Sequence, residues 1–373
     1  MKDIREFDLP FFFGVQDQPG NGGLPPMMPF KYYFDYELKM YRQVVDDGLR
    51  RTLNQVYLSG SMLNGEMNAN DGGHQGKAAL EFIHQNFSIY KNSRILEIGC
   101  GNGFILKELA KKGAECIGLE PGPQISAIQH VEGISIINDF FPSKLIKGNF
   151  DLILHFNVIE HLENPLEMLL EQGNLLTSGG KIIFGMPNCE PNLESGDISI
   201  FAHEHFNYFT RDSFIAIAEK AGFIITELTT GASEGMIFCA FMKKGEAVES
   251  SFAESKNNWT IFEEKIQRCL FNLKTVINQV NPADIVIYCP KRALNALSLL
   301  GLNECRLVDD TPTMNEKFLP FFLKPVENFE SLASNPPGLI IIFSRTFGET
   351  IRRKCKSSPK LKDVQVSLLA EFD

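Results

Sequence analysis

The chain has 373 residues, 44% of them hydrophobic and 22% charged, with a formal net charge of -10. That composition is ordinary for a folded globular protein with room for two domains, and the acidic balance argues against nucleic acid as a partner. Eight cysteines, at 100, 116, 189, 239, 269, 289, 305 and 355, form no CxxC pair, so neither a zinc ribbon nor a redox dithiol is predicted and a reducing cytoplasm is inferred.

Residues 1–10 carry Asp3, Glu6 and Asp8 and only a short apolar run, unlike a signal peptide. No apolar stretch approaches membrane-spanning length. Residues 1–30 are rich in proline and glycine and predict an extended arm, with Phe11, Phe12 and Phe13 docking it onto a neighbour. From 35 to 58, Leu38, Tyr41, Val45, Leu49, Leu53 and Tyr57 recur at helical spacing. Residues 60–76 are rich in glycine and asparagine, with Met62 and Met67; they suit a lid or a plain connector. A helix is predicted over 77–87.

The run Arg94-Ile-Leu-Glu-Ile-Gly-Cys-Gly-Asn-Gly-Phe-Ile-Leu106 reads as strand, glycine turn and helix. Glycine at 99, 101 and 103 lets the backbone turn tightly and leaves no Cβ between it and a ligand. Open α/β sheets bind ligands at the carboxyl ends of their strands. A dinucleotide fingerprint needs GxGxxG; here the spacing is GxGxG with Glu97 before it. A second acid, Glu120, ends the strand-like run 115–120. A carboxylate there accepts two ribose hydroxyls. The same pattern also fits a structural turn with surface acids. The stretch resembles motif I of class I S-adenosylmethionine-dependent methyltransferases. The resemblance implies that Glu97, Gly99, Cys100, Gly101 and Gly103 line the methionine half of S-adenosylmethionine, and that Glu120 and Pro121 lie at its ribose.

Strands are predicted at 94–98, 115–120, 134–137, 150–155 and 180–186, alternating with helices. That order implies a doubly wound parallel sheet. After the third strand, Asp139 and Phe140 suit an adenine, the carboxylate at the amine and the ring on the base; a bland loop fits as well. The fourth strand runs into Asn157, Glu160 and His161, which are pocket candidates at the transferred methyl or simply a helix start. Thr210 and Asp212 look like caps for a helix over 213–221, and 224–228 with 236–242 form a closing hairpin. Beyond a charged linker at 243–258, a helix at 259–280 leads into a second α/β unit. Its strands are 284–288, 305–308 and 339–343, with helices at 292–300 and 347–355. The whole reads as α/β: a Rossmann-like doubly wound methyltransferase sheet (79–245), an N-terminal helical and loop extension (1–78), and a smaller C-terminal α/β domain (246–373) suited to substrate binding.

His203-Glu204-His205 admits three readings. Two histidines one residue apart share a side of a strand, and His is a common metal ligand, but no spacing supplies the further ligands; His161 is the nearest in kind. A polar turn at the sheet edge is the second, and catalysis, the favoured reading, the third. The run His-Glu-His-Phe-Asn-Tyr-Phe at 203–209 resembles the signature of sugar C-methyltransferases acting on nucleotide-linked 4-keto-deoxysugars, and 308–312, 315–319 and 339–347 resemble segments of their C-terminal part. The resemblance implies that His205 is the general base that removes a proton beside the keto group. In that family Glu204 and a tyrosine position the base or hydrogen-bond the developing enolate; His203 stands where the family carries the tyrosine, with Tyr208 or Tyr57 as substitutes. No metal is then required, and the substrate is a nucleotide sugar. The chain departs from that family in lacking paired N-terminal cysteines for a zinc-binding domain and a glycine turn after Tyr288. O- or N-methylation of a small metabolite, and cofactor binding without transfer, are the alternatives.

Overall fold

A computed structural model describes residues 3–58, 73–128, 130–230, 235–243, 252, 255 and 257–373. The chain divides into two compact units: Phe34–Cys189 with Glu204–Lys256, and Met1–Tyr33 with Glu190–His203 and Asn257–Asp373. These units cut across the sequence-order division at 78 and 245, because the N-terminal segment is shared between them and 190–203 crosses over. Among the described residues no helix is long and apolar enough to cross a membrane.

The first unit is built on a seven-stranded sheet. Its strands are β1 (Arg94–Ile98), β2 (Glu115–Leu119), β3 (Ile134–Ile137), β4 (Phe150–Phe156), β5 (Leu176–Pro187), β6 (Phe223–Thr229) and β7 (Met236–Lys243). Their spatial order is β6-β7-β5-β4-β1-β2-β3. β1 to β5 pair in parallel, whereas β7 is antiparallel to both β5 and β6. Alternate residues serve opposite faces, as strand geometry dictates. Leu96, Ile98, Ile153, Phe184 and Phe241 meet Met168, Leu169, Phe214 and Ile217 of the helices Pro165–Leu175 and Arg211–Lys220. Ile95, Leu152, Leu154 and Phe238 meet Ala79, Phe82, Leu106 and Leu109 of the helices Gly73–Asn86 and Phe104–Ala110. Helices on both faces explain why the strands read as near-continuous apolar runs. This is the class I methyltransferase fold.

The helix expected from residue 35 starts later. Strands occupy Met27–Asp35 and Met40–Gln43, and the helix is Asp47–Leu58. The Asp35 carboxylate accepts the amides of Glu37 and Leu38, and Lys39 takes a left-handed φ of 52°, so the chain turns here. The Asp46 carboxylate accepts the Leu49 amide, which sets the helix start at Asp47. Leu38, Tyr41 and Val45 matched helical spacing by coincidence. Residues 60–72, with Met62 and Met67, lie outside the described residues, as does the Tyr57 side chain.

The second unit has a five-stranded parallel sheet. It contains β8 (Ile285–Tyr288), β9 (Arg306–Val308), β10 (Val326–Glu327), β11 (Leu339–Ile342) and β12 (Gln365–Leu368), in the order β10-β9-β8-β11-β12. The residues expected as an N-terminal arm are structural here. Arg5–Pro10 pairs antiparallel with Met27–Tyr32. Phe30 stacks on Phe201 at 4.6 Å, Phe11 lies 5.2 Å from the His203 ring, and Phe201 meets Phe262 at 5.7 Å. Phe11 and Phe30 are fully buried.

Candidate active site

The first part of the site is the turn after β1. Gly99, Gly101 and Gly103 have φ of 70°, 53° and 70°, the left-handed region that side chains resist. A Cβ at Gly99 would sit 2.7 Å from Val158 Cγ2, and one at Gly103 would sit 2.6 Å from Ile128 Cδ1. Gly118, in the middle of β2, serves the same turn: its missing Cβ leaves room for Cys100 Sγ and Leu106 Cδ1. A lone glycine inside a strand pattern is the sequence signal for such close packing.

Glu120 leaves β2 beside this turn, and its carboxylate accepts the Gly101 amide at 3.0 Å and the Gly122 amide at 2.7 Å. Its backbone carbonyl accepts Asn138 Nδ2 at 2.8 Å, and Pro121 beyond it is exposed. Glu97 is buried, and its Oε2 has no hydrogen-bond partner among the described residues. Burial first, and then the Glu120 charge, push its pKa well up. Burial likewise pushes the Cys100 thiol up, so it is no nucleophile here. After β3, the Asp139 carboxylate accepts Ser143 Oγ at 2.6 Å and the Phe140 amide at 2.8 Å, which hold its pKa low, while the Phe140 ring is exposed.

The second part lies at the end of β4. Asn157 turns the chain with φ 53°, its amide donating to Gly185. The helical turn Ile159–His161 then carries Glu160 and His161. Val158 packs on Gly99, so this turn adjoins the glycine turn. The Phe206 amide donates to the Glu160 carbonyl at 2.7 Å, and His161 Nδ1 donates to the Glu204 carbonyl at 2.8 Å. These bonds bring 204–206 onto the end of β4. The His161 and His205 rings meet edge to face at 4.9 Å. Burial, opposed by the Glu204 carbonyl, lowers the His161 pKa to about 4, and burial with His161 lowers that of His205 well below 6.5. Burial raises Glu160 to about 8. The Glu204 carboxylate lies 3.9 Å from His205 Nε2.

The structure parts the two histidines of the His-Glu-His run. Residues 203 and 204 form a turn, and the strand comprises Asn207 and Tyr208 alone, so the alternation of a strand does not apply at 203–205. His203 belongs to the other unit, where its Nε2 bonds the Met28 carbonyl at 3.2 Å among the Phe11 and Phe30 rings. The fully buried Tyr208 donates its hydroxyl to the His205 carbonyl at 2.9 Å, which fixes the backbone of the loop.

Residues 73–228 match the methyltransferase domain family. They form a class I methyltransferase domain. Two curated relatives are ubiquinone biosynthesis O-methyltransferases. That of Nitrosococcus oceani is 33% identical, over 30% of this chain and 50% of the relative; that of a Ruegeria species is 32% identical, over 35% and 59%. The chain thus spans about half the length of these relatives. Among solved structures, the 1,6-didemethyltoxoflavin-N1-methyltransferase of Burkholderia thailandensis is 12% identical and covers 57% of this chain and 98% of its own, at a TM-score of 0.41.

The methyl donor of this domain class is S-adenosylmethionine. The methyltransferase domain has the features such a donor needs: a turn kept clear of side chains, a buried acid with an orphaned oxygen at Glu97, and an acid fixed beside the turn at Glu120. The matched stretch includes β1 to β4, Glu160, His161 and His205, and ends within β6.

Proposed function

We propose that this chain transfers a methyl group from S-adenosylmethionine to a small-molecule acceptor at the end of β4. The observation that carries the reading is the Glu120 carboxylate held on the Gly101 and Gly122 amides, beside a turn with three left-handed glycines. When bound, the donor supplies a methyl activated by its sulfonium. Gly99, Cys100, Gly101 and Gly103 line its methionine half with Glu97 near the ammonium. Glu120 and Pro121 take the ribose, and Asp139 and Phe140 take the adenine. Asn157 and His161 border the methyl.

His205 is the proton acceptor of this proposal. It is neutral at pH 7, because burial holds its pKa down, and so keeps a lone pair. Glu204, next to it, supports the charge that forms on the ring. Two acceptors fit a base there. The resemblance of residues 203–209 to sugar C-methyltransferases supports a carbon beside the ketone of a nucleotide-linked deoxysugar. The O-methyltransferase relatives support an acidic oxygen of a small metabolite.

Calorimetry tests the first step: S-adenosylmethionine binds the wild-type chain, and Gly101→Arg loses at least a hundredfold in affinity. His205→Ala keeps the cofactor affinity and loses about 10²–10⁴-fold in kcat. NMR of the product then locates the methyl on carbon or oxygen. No cofactor binding, or undiminished transfer by His205→Ala, overturns the corresponding part.

A further inference from the structure

The side chains of Glu160, His161 and His205 converge, with one ligand-type atom from each lying within 4.8 Å of the others. We propose that these three residues bind one divalent transition-metal cation of the zinc class. Two imidazoles and one carboxylate form a donor set that suits zinc or a ferrous ion and leaves a position open.

Three independent features support the site. The first is Glu160, which is 2% exposed, with neither carboxylate oxygen hydrogen-bonded among the described residues. A buried acid without a partner is costly, and a cation beside it supplies the missing interaction. The second is the orientation of His161. Its Nδ1 donates to the Glu204 carbonyl, so Nε2 carries the lone pair, and Nε2 lies 3.8 Å from Glu160 Oε1. A backbone carbonyl on the far nitrogen is the usual way a protein fixes the tautomer of a metal-binding histidine.

The third is distance. Ligand bonds of about 2.0–2.1 Å in a tetrahedral site place neighbouring donor atoms roughly 3.3–3.4 Å apart. The three donors lie within 4.8 Å of one another and must close to that spacing as the cation binds. His161 and His205 keep side-chain exposures of 20% and 19%, which leaves them a route to solvent ions.

The sequence offered no ligand spacing because two of the donors come from the end of β4 and the third from a loop more than forty residues on. Cation binding takes the proton from Glu160 and finds both imidazoles neutral, so a dication leaves one positive charge on its three ligands, with the Glu204 carboxylate 3.9 Å from His205 Nε2 beside them. That charge and the open position fit an anionic oxygen of the acceptor, which the cation holds as a Lewis acid. This last role rests on the proposed methyl transfer; the cation site itself does not. In the loaded protein His205 is a ligand, and its part as proton acceptor is confined to the metal-free protein.

The test is a titration of the full-length, chelator-stripped chain with Co²⁺, followed by displacement with Zn²⁺. One Co²⁺ per chain is expected, with the visible absorption of a four- or five-coordinate ion. Glu160→Gln and His205→Asn should each weaken it at least tenfold, with thermal melts confirming that both variants fold. His84→Ala, on the exposed face of the helix Gly73–Asn86, should leave it unchanged. No 1:1 site, or a site that both cluster variants retain at full strength, overturns the proposal. Calorimetry with S-adenosylmethionine on the same stripped protein separates the two readings. Cofactor binding without cobalt binding defeats the metal site alone, and cobalt binding without cofactor binding defeats the methyl transfer alone. Equal transfer rates in stripped and zinc-loaded protein overturn the Lewis-acid role.

Discussion

His155 lies fully buried in β4, stacked on Phe184 at 4.6 Å, and neither ring nitrogen has a hydrogen-bond partner among the described residues. Burial alone pushes its pKa down from 6.5 to about 3. The sign follows from linkage. Between those values the unfolded chain binds a proton that the folded chain does not, so folding is favoured fully above pH 6.5 and loses that contribution as pH falls towards 3. The slope is at most about 1.4 kcal/mol per pH unit. Glu160, raised to about 8, acts in the opposite sense, its contribution present below pH 4.5 and lost as pH rises through 8. Urea unfolding at pH 7.5, 6.5 and 5.5 should therefore show a smaller acid loss in His155→Phe than in the wild type. Equal slopes would sink the assignment. His155 was legible only as the last residue of a strand. That its ring is dry depends on Phe184, which comes from β5.

At the scale of elements, local signals served where the chain itself satisfies its backbone. Thr210 caps the helix Arg211–Lys220, accepting the Ser213 amide, while Ser213 Oγ accepts the Thr210 amide at 2.8 Å. Thr210→Ala should cost about 1–2 kcal/mol, because both groups are buried and the freed amide finds no water. Chemical denaturation checks it, and a loss below about 0.3 kcal/mol would show that the box contributes nothing. Asp212 reads as a second cap in sequence, yet its carboxylate accepts the Ser255 amide and hydroxyl instead. The strands Met27–Asp35 and Met40–Gln43 were hidden for a related reason. Their turn is held by the Asp35 side chain, a signal weaker than the coincident helical spacing of Leu38, Tyr41 and Val45.

At the scale of the whole molecule, chain order and compact units disagree. The first thirty residues carry the proline and glycine of a loose arm, but Phe11 and Phe30 are fully buried within the unit that also contains the C-terminal sheet. Phe30→Ala should therefore destabilise the protein by about 3–5 kcal/mol, as for a large side chain removed from a core. A change under 1 kcal/mol in urea unfolding would return the segment to the status of an arm. Arg306 binds Glu327 through two parallel bonds of 2.9 and 2.7 Å, one of the contacts that join β9 to β10 in that unit. β10 is two residues long and left no periodicity to read.

The sequence alone determined the glycine turn, its two acids and the alternation of strands and helices. Those features are local: three glycines need left-handed backbone at fixed positions, and apolar runs need burial wherever they pack. Tertiary structure alone decided the company of His205. Hydrogen bonds from Phe206 to Glu160 and from His161 to Glu204 draw two loops together. They leave His203 in another unit and give His205 the neighbours Glu160 and His161. No spacing encodes that grouping, because the bonds that create it, one between backbone groups and one from the His161 side chain, join residues more than forty positions apart.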